Sequence, residues 1–326
     1  MDLALSPTTP GLTVAELADL CRYAEELGYR QVWSAEVAGP DAFVLTAAAA
    51  RVTERMEFGV AVVPAYTRTP AALAMAAGSV SQLLDGRPFR LGIGASSEVI
   101  VRDWHGQDFN RPIRRVAETI AAIRSILSGE PGFRGKTVST NRYRLASPPS
   151  GPVECHVAAL REGMLRLAGR VGDGVCLNLM PPGAVPRQLA EVRAGAEEVG
   201  RGLPDDYGVM ARLQVVVTDD APAARDMLRD NFIGPYMAQP VYNRFLSWLG
   251  YEEEAQAIAT GWAARDREAV GRAIHDRLVD DLALVGSASA VRDRLDEFAA
   301  AGLKTAALMV IDRSAVEDTL RALAPS

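Results

Sequence analysis

The chain has 326 residues, of which 48% are hydrophobic, and carries 41 Asp and Glu against 35 Lys and Arg, a formal net charge of −6. That balance argues against a nucleic-acid or anionic-membrane surface, which wants clustered cations, and no apolar run approaches the ~20 residues of a membrane span. Cys21, Cys155 and Cys176 are widely spaced with no C-x-x-C pair, which fits buried thiols in a reducing cytoplasm better than a disulfide frame or a zinc site. The N-terminus lacks a basic stretch followed by an apolar run, so no signal peptide is expected.

Short apolar runs alternate with amphipathic stretches along the chain. Residues 3–5 form the first strand candidate. Residues 13–27 predict a helix with Leu17, Leu20, Ala24 and Leu27 on one face, Thr13 and Glu16 as a capping box and Gly28 as the stop. Residues 31–35 follow as a strand, 41–52 as a helix and 58–63 as a wholly apolar strand, a pattern suited to parallel strands buried on both faces. A helix over 70–84 starts on Pro70. Then come strand 90–95, helix 111–127, a surface hairpin over 137–145, strand 154–158, helix 164–171, strand 174–177, helix 186–199 and strand 209–217. Residues 221–282 read as a long helical excursion, followed by helix 287–301, strand 305–311 and a closing helix over 315–323.

Eight strands alternating with helices in one chain of this size predict a closed (β/α)8 TIM barrel of class α/β, with a helical insertion after strand seven and one domain over 1–326. The rival open sheet wants Gly-x-Gly-x-x-Gly after strand one, which is absent. In a barrel the chemistry sits at the carboxyl ends of the strands. His105, His156 and His275 lie far apart without His-x-x-x-His spacing, so no metal site is expected. Neither a Gly-x-Ser-x-Gly elbow nor a Walker loop is present, and nothing points to hydrolase or P-loop chemistry.

Three segments at strand ends stand out. The first is RMEFGVAVVPAYTRTP over residues 55–70. The second is LGIGASS over 91–97, where Gly94, Ala95, Ser96 and Ser97 would let backbone N–H groups approach a phosphate, or would simply pack closely at the rim. The third is VAALREGMLRLAG over 157–169 with GDGVCLN over 172–178. Its helix start near Gly163 and Met164 offers free N–H groups and the positive end of a dipole, and Arg161 adds a charge. Together with Tyr236-to-Tyr242 in the excursion and the stretch 282–295, these segments resemble the luciferase-like superfamily, especially its coenzyme F-420-dependent members of the methylene-tetrahydromethanopterin reductase type. The resemblance spans nearly the whole chain.

That resemblance implies a flavin-like ring bound at the carboxyl end of the barrel, with coenzyme F-420 (8-hydroxy-5-deazaflavin) favoured and FMN as the alternative. It implies hydride transfer to or from an organic substrate; the alternative is an FMN monooxygenase served by a partner reductase and oxygen. It implies a non-proline cis peptide backing the ring, which aligns between Ala61 and Val62. Ala159, Leu160, Arg161, Gly163 and Met164, with residues 94–97, would line the ring and its phosphate path. Family members often carry an acid followed by His at the end of strand two; here Glu36 matches the acid and Val37 replaces the His. Glu36, or His105 in the loop after strand four, is therefore the candidate proton relay. The 236–242 segment serves as a lid or as helix packing. The resemblance further implies a cytoplasmic homodimer joined through helices two and three.

Overall fold

In the computed structural model, which describes residues 1–325, the apolar runs become eight parallel strands. They are β1 (Asp2–Leu5), β2 (Gln31–Ser34), β3 (Glu57–Pro64), β4 (Phe89–Gly94), β5 (Val153–Ala158), β6 (Gly174–Asn178), β7 (Gly208–Val217) and β8 (Thr305–Val310). Each pairs with its sequence neighbours, and β8 pairs with β1, so the sheet closes into a (β/α)8 barrel. The outer helices begin where the sequence supplies caps. The Thr13 hydroxyl accepts from the Glu16 N–H while the Glu16 carboxylate accepts from the Thr13 N–H, opening α1 (Val14–Glu26). Asp41 accepts from the Phe43 and Val44 N–H groups at α2 (Ala42–Val52), and Thr69 caps α3 (Pro70–Leu83). α4 (Pro112–Leu127), α5 (Glu162–Val171) and α6 (Val185–Glu197) continue the ring.

Three segments differ from the sequence expectation. The hairpin lies earlier than 137–145: Gly132–Arg134 pairs with Ser139–Asn141. The physical reason is Glu118 on α4, whose carboxylate accepts from the N–H groups of Lys136, Thr137 and Val138 and so fixes the turn there. The loop after β4 contains a π-helix, Val99–Trp104. The excursion is not one long helix. It breaks at a second π-helical segment, Arg229–Ile233, and at Pro240, into α7 (Ala221–Leu228), α8 (Gly234–Met237), α9 (Pro240–Trp248), α10 (Glu252–Ala263), α11 (Arg267–Ala273) and α12 (Asp276–Leu282). A short strand, Leu284–Gly286, adds to β7 before α13 (Ala288–Ala300), and α14 (Val316–Ala322) ends the fold.

Packing falls into three regions. The main core lies between strands and outer helices. A second cluster lies under the excursion, where Leu228, Ile233, Met237, Leu246 and Ile258 meet Val216 and Met309. The third fills the barrel itself, with Ala4, Trp33, Cys176, Met210 and Ala307 in contact. Trp33 is the large plug; a Cβ on Gly59 would stand 2.4 Å from its ring. Below it, toward the N-terminal ends of the strands, Arg90 pairs with Glu57 (2.7 Å) and Glu154 (3.3 Å), and Glu154 pairs with His156 (3.2 Å). The His156 hydrogen bond, with Arg90, holds the Glu154 carboxyl below its ordinary range against burial. All three cysteines are buried, and burial pushes the Cys155 thiol up to about 12. No described helix is long and apolar enough to cross a membrane.

Helices α5 and α6 touch backbone to backbone. A Cβ on Gly169 would stand 1.8 Å from the Val192 carbonyl oxygen, and one on Gly195 would stand 2.1 Å from that of Arg166. Gly169→Ala should therefore destabilise by at least ~1–3 kcal/mol despite alanine's better helix propensity. Gly183→Ala, with nothing within 4 Å of its Cβ, should stay within about 0.5 kcal/mol of the parent. Urea midpoints of the two variants check this; equal midpoints would refute the close contact.

Candidate active site

At the carboxyl end of the barrel, β3 slips its register against β4 between Val60 and Val63, and the Ala61–Val62 peptide is cis. This is the bond to which the resemblance pointed. Ala61 and Val62 pack onto the interior cluster around Trp33 and Cys176, yet both remain partly exposed while Val60 and Val63 are sealed. They thus form a small apolar floor facing the mouth. Glycines on β4 make room for it: a Cβ on Gly94 would lie 3.0 Å from a Val62 methyl carbon and 2.9 Å from the Ala158 Cβ. After Gly94 the chain turns sharply. Ala95 is half-buried, Ser96 takes a left-handed φ of 63°, and Ser97 accepts the Ile100 N–H at 3.3 Å. The Ser97 hydroxyl therefore holds the start of the π-helix.

Across the mouth, β5 leads into α5. The Ala159 N–H donates to the Cys176 carbonyl (3.0 Å), and the Leu160 carbonyl accepts from Gln188. Arg161 sits at the N-cap position. The Met164 and Leu165 N–H groups already donate to the Arg161 carbonyl, leaving those of Glu162 and Gly163 as the open donors of the first turn. Gly163 lies against Ile113 of α4. Arg161 forms no salt bridge among the described residues. Partial burial, then the nearby Arg244 cation, lowers its pKa, the electrostatic condition of a place short of negative charge.

The two proton-relay candidates occupy different surroundings. Glu36 is held by Arg68, which donates from Nε to Oε1 (3.0 Å) and from Nη2 to Oε2 (2.8 Å) and also contacts Asp41. The bond to Glu36, joined by that to Asp41, raises the Arg68 pKa against its burial. The Arg68 guanidinium lies 5.1 Å from the centre of the Phe43 ring. This clamp ties the β2–α2 loop to the β3–α3 loop. His105 is exposed at the end of the π-helix and makes no side-chain hydrogen bond among the described residues. Tyr66 ties down the next loop by donating to the Asn110 carbonyl at 2.6 Å.

A polar group on the β6–β7 side escaped the sequence reading. Arg212 and Gln214 on β7 point inward on the same face as Met210. Gln214 donates to Asn178 of β6 (3.1 Å), and Asn178 donates to the Tyr242 hydroxyl (3.5 Å). Tyr242 meets Tyr236 edge-on at 5.3 Å, so the 236–242 segment lies over the end of β6. Burial, then Tyr236, pushes the Tyr242 phenol up, opposed by Arg212. The available signal was two polar residues at i and i+2 within the otherwise apolar run of 209–217. Among the described residues, no group of three His, Cys, Asp or Glu side chains is placed to hold a metal ion.

These features stand in a chain with identifiable relatives. It is 28% identical to a Mycobacterium tuberculosis protein provisionally named a coenzyme F420-dependent oxidoreductase, over 92% of this chain and 91% of that one. It is 27% identical to the 5,10-methylenetetrahydromethanopterin reductase of Methanolobus tindarius, over 89% and 88%. The solved structure of the coenzyme F420-dependent tetrahydromethanopterin reductase of Methanopyrus kandleri superposes with a TM-score of 0.80 at 20% identity, covering 99% of this chain and 97% of that one. The sequence pattern described as luciferase-like monooxygenase matches residues 2–305, and the chain belongs to that family.

Proposed function

We propose that the protein is a coenzyme F-420-dependent oxidoreductase that exchanges a hydride with a small organic substrate. The observation that carries this is the partly exposed apolar floor at Ala61 and Val62, set in the mouth of a barrel with one relative and one solved structural neighbour that bear F420 names. The floor suits the face of a planar ring. When bound, the deazaflavin supplies the hydride chemistry at carbon 5, and the barrel supplies orientation and electrostatics. In this reading Ala61 and Val62 brace one ring face. Gly94, Ala95, Ser96 and Ser97 on one side and Ala159 and Leu160 on the other border the ring and its sugar-like chain. The Gly163 N–H and the Arg161 guanidinium hold the phosphate at the start of α5, with Met164 as a wall. Both relay residues remain part of the proposal. The clamp gives Glu36 the role of positioning Arg68 and the two loops, and His105, exposed at the end of the π-helix, is the relay candidate whose side chain is left unengaged.

Fluorescence titration of the purified protein tests the coenzyme. We expect tight F-420 and weak FMN binding; the reverse would favour the FMN monooxygenase, and binding of neither would overturn the reading. Arg161→Ala should weaken F-420 binding about tenfold or more, the worth of one charge-assisted hydrogen bond, while leaving affinity for the phosphate-free deazaflavin unchanged. Loss of both affinities would place Arg161 at the ring instead.

Screening reducible compounds against reduced F-420 provides a turnover assay. In it, Glu36→Gln should slow turnover with coenzyme affinity within about twofold of the parent. Unchanged turnover removes Glu36 from the reaction. A slower rate with an unaltered pH profile assigns it to positioning, and loss of one limb of the profile assigns it to proton relay.

The dimer implied by the resemblance has a candidate face here. Val44 on α2 and Met75 on α3 are 56% and 54% exposed, large values for apolar side chains. Light scattering should give a dimer for the parent and a monomer for Val44→Glu combined with Met75→Glu; a dimer in both places the interface elsewhere.

A further inference from the structure

Arg212 is the only Asp, Glu, Lys or Arg that is more than nine-tenths buried among the described residues; it is 8% exposed. Its side chain forms no salt bridge and no hydrogen bond with any described residue. Its nitrogens are not among the sealed, unpartnered polar atoms of the interior, whereas Gln214 Oε1 is. The guanidinium therefore reaches open space from within a buried side chain. Its place in the barrel says which space. On β7 it stands two residues beyond Met210, a member of the interior cluster that Ala61 and Val62 cover, and its register partners are Ala307 on β8 and Asn178 on β6. It thus lies one layer above the plug, at the level of the floor, below the lid segment that carries Tyr242.

An arginine in a barrel interior stays charged, and burying a charge without a partner is costly. Elsewhere the chain satisfies its inward arginines: Arg90 has Glu57 and Glu154, and Arg115 donates to the carbonyls of Ala65 and Thr137 beside a cleft of about 560 Å³. Arg212 is left without an anion at the one place where a substrate would meet the ring. Tyr242, held in its neutral form by burial, stands next to it and offers a hydroxyl. A planar guanidinium with a neighbouring phenol matches a carboxylate, which takes two parallel N–H bonds.

We propose that Arg212 binds the carboxylate of an anionic organic substrate, with the Tyr242 hydroxyl as a second donor, so that the substrate carries a carboxylate in addition to the separate group that exchanges the hydride. This rests on the F-420 reading for the reaction, but not for the binding of the anion.

The test is calorimetry of the full chain, with and without saturating F-420, against acetate, butyrate and benzoate and their neutral amides. At least one acid should bind at least about tenfold more tightly than its amide, and Arg212→Gln should erase that preference. Arg212→Lys should keep part of it. The melting temperature of Arg212→Gln should stay level or rise, because the guanidinium has no partner among the described residues to lose; a purely structural arginine would lower it. Equal affinity for acids and amides, or no binding of any acid, overturns the proposal. So does a variant that loses F-420 affinity while keeping the preference for acids, which would assign Arg212 to the coenzyme. Failure of F-420 to bind, with the acid preference intact, would sink the coenzyme reading and leave the anion site standing.

Discussion

Closing eight parallel strands leaves a central space that side chains must fill, and here one indole takes the middle of it. Trp33 fits because Gly59 beside it has no side chain, and its Nε1 donates to Gln31, which in turn donates to Asp2. Below the indole, the Arg90, Glu57, Glu154 and His156 cluster occupies the amino-terminal end. The barrel is thereby solid from one end up to Ala61 and Val62. What remains open is the carboxyl end, and the depth of that mouth is set by the plug rather than by the loops.

The sequence made the barrel legible because its rules are local. Caps at Thr13, Asp41 and Thr69, and apolar runs bounded by glycine and proline, mark elements within a few residues. The bond between Ala61 and Val62 was located by likeness to a family, not by periodicity. The hairpin was misplaced because its register depends on Glu118, which sits on another element. The helical excursion was foreseen, but its breaks at 229–233 and Pro240 were not separable from a continuous amphipathic pattern.

The site was less legible, for a related reason. Glu36 stands out as an acid at a strand end, but its partner Arg68 lies 32 residues away across two loops. His105 lies in a long loop, whose direction loop length does not give. Arg212 hid in an apolar run: strand alternation tells which residues share a face, but not that the shared face looks into an opening. Only the closed ring reveals that Met210 belongs to the plug and Arg212 to the wall of the mouth above it.

The excursion has its own cluster of buried side chains, from Leu228 and Ile233 to Leu246 and Ile258, touching the barrel through Val216, Leu179 and Met309. The cap meets the main core at α9, through Phe245, Trp248 and Leu249, whereas the rest of it packs around its own hydrophobic centre. Changes in the excursion outside residues 245–249 would then alter what surrounds Arg212 and Tyr242 while the floor at Ala61 and Val62 stays in place. The architecture thus gives the mouth two separate builders: β3 supplies its floor, and the excursion supplies what lies over it.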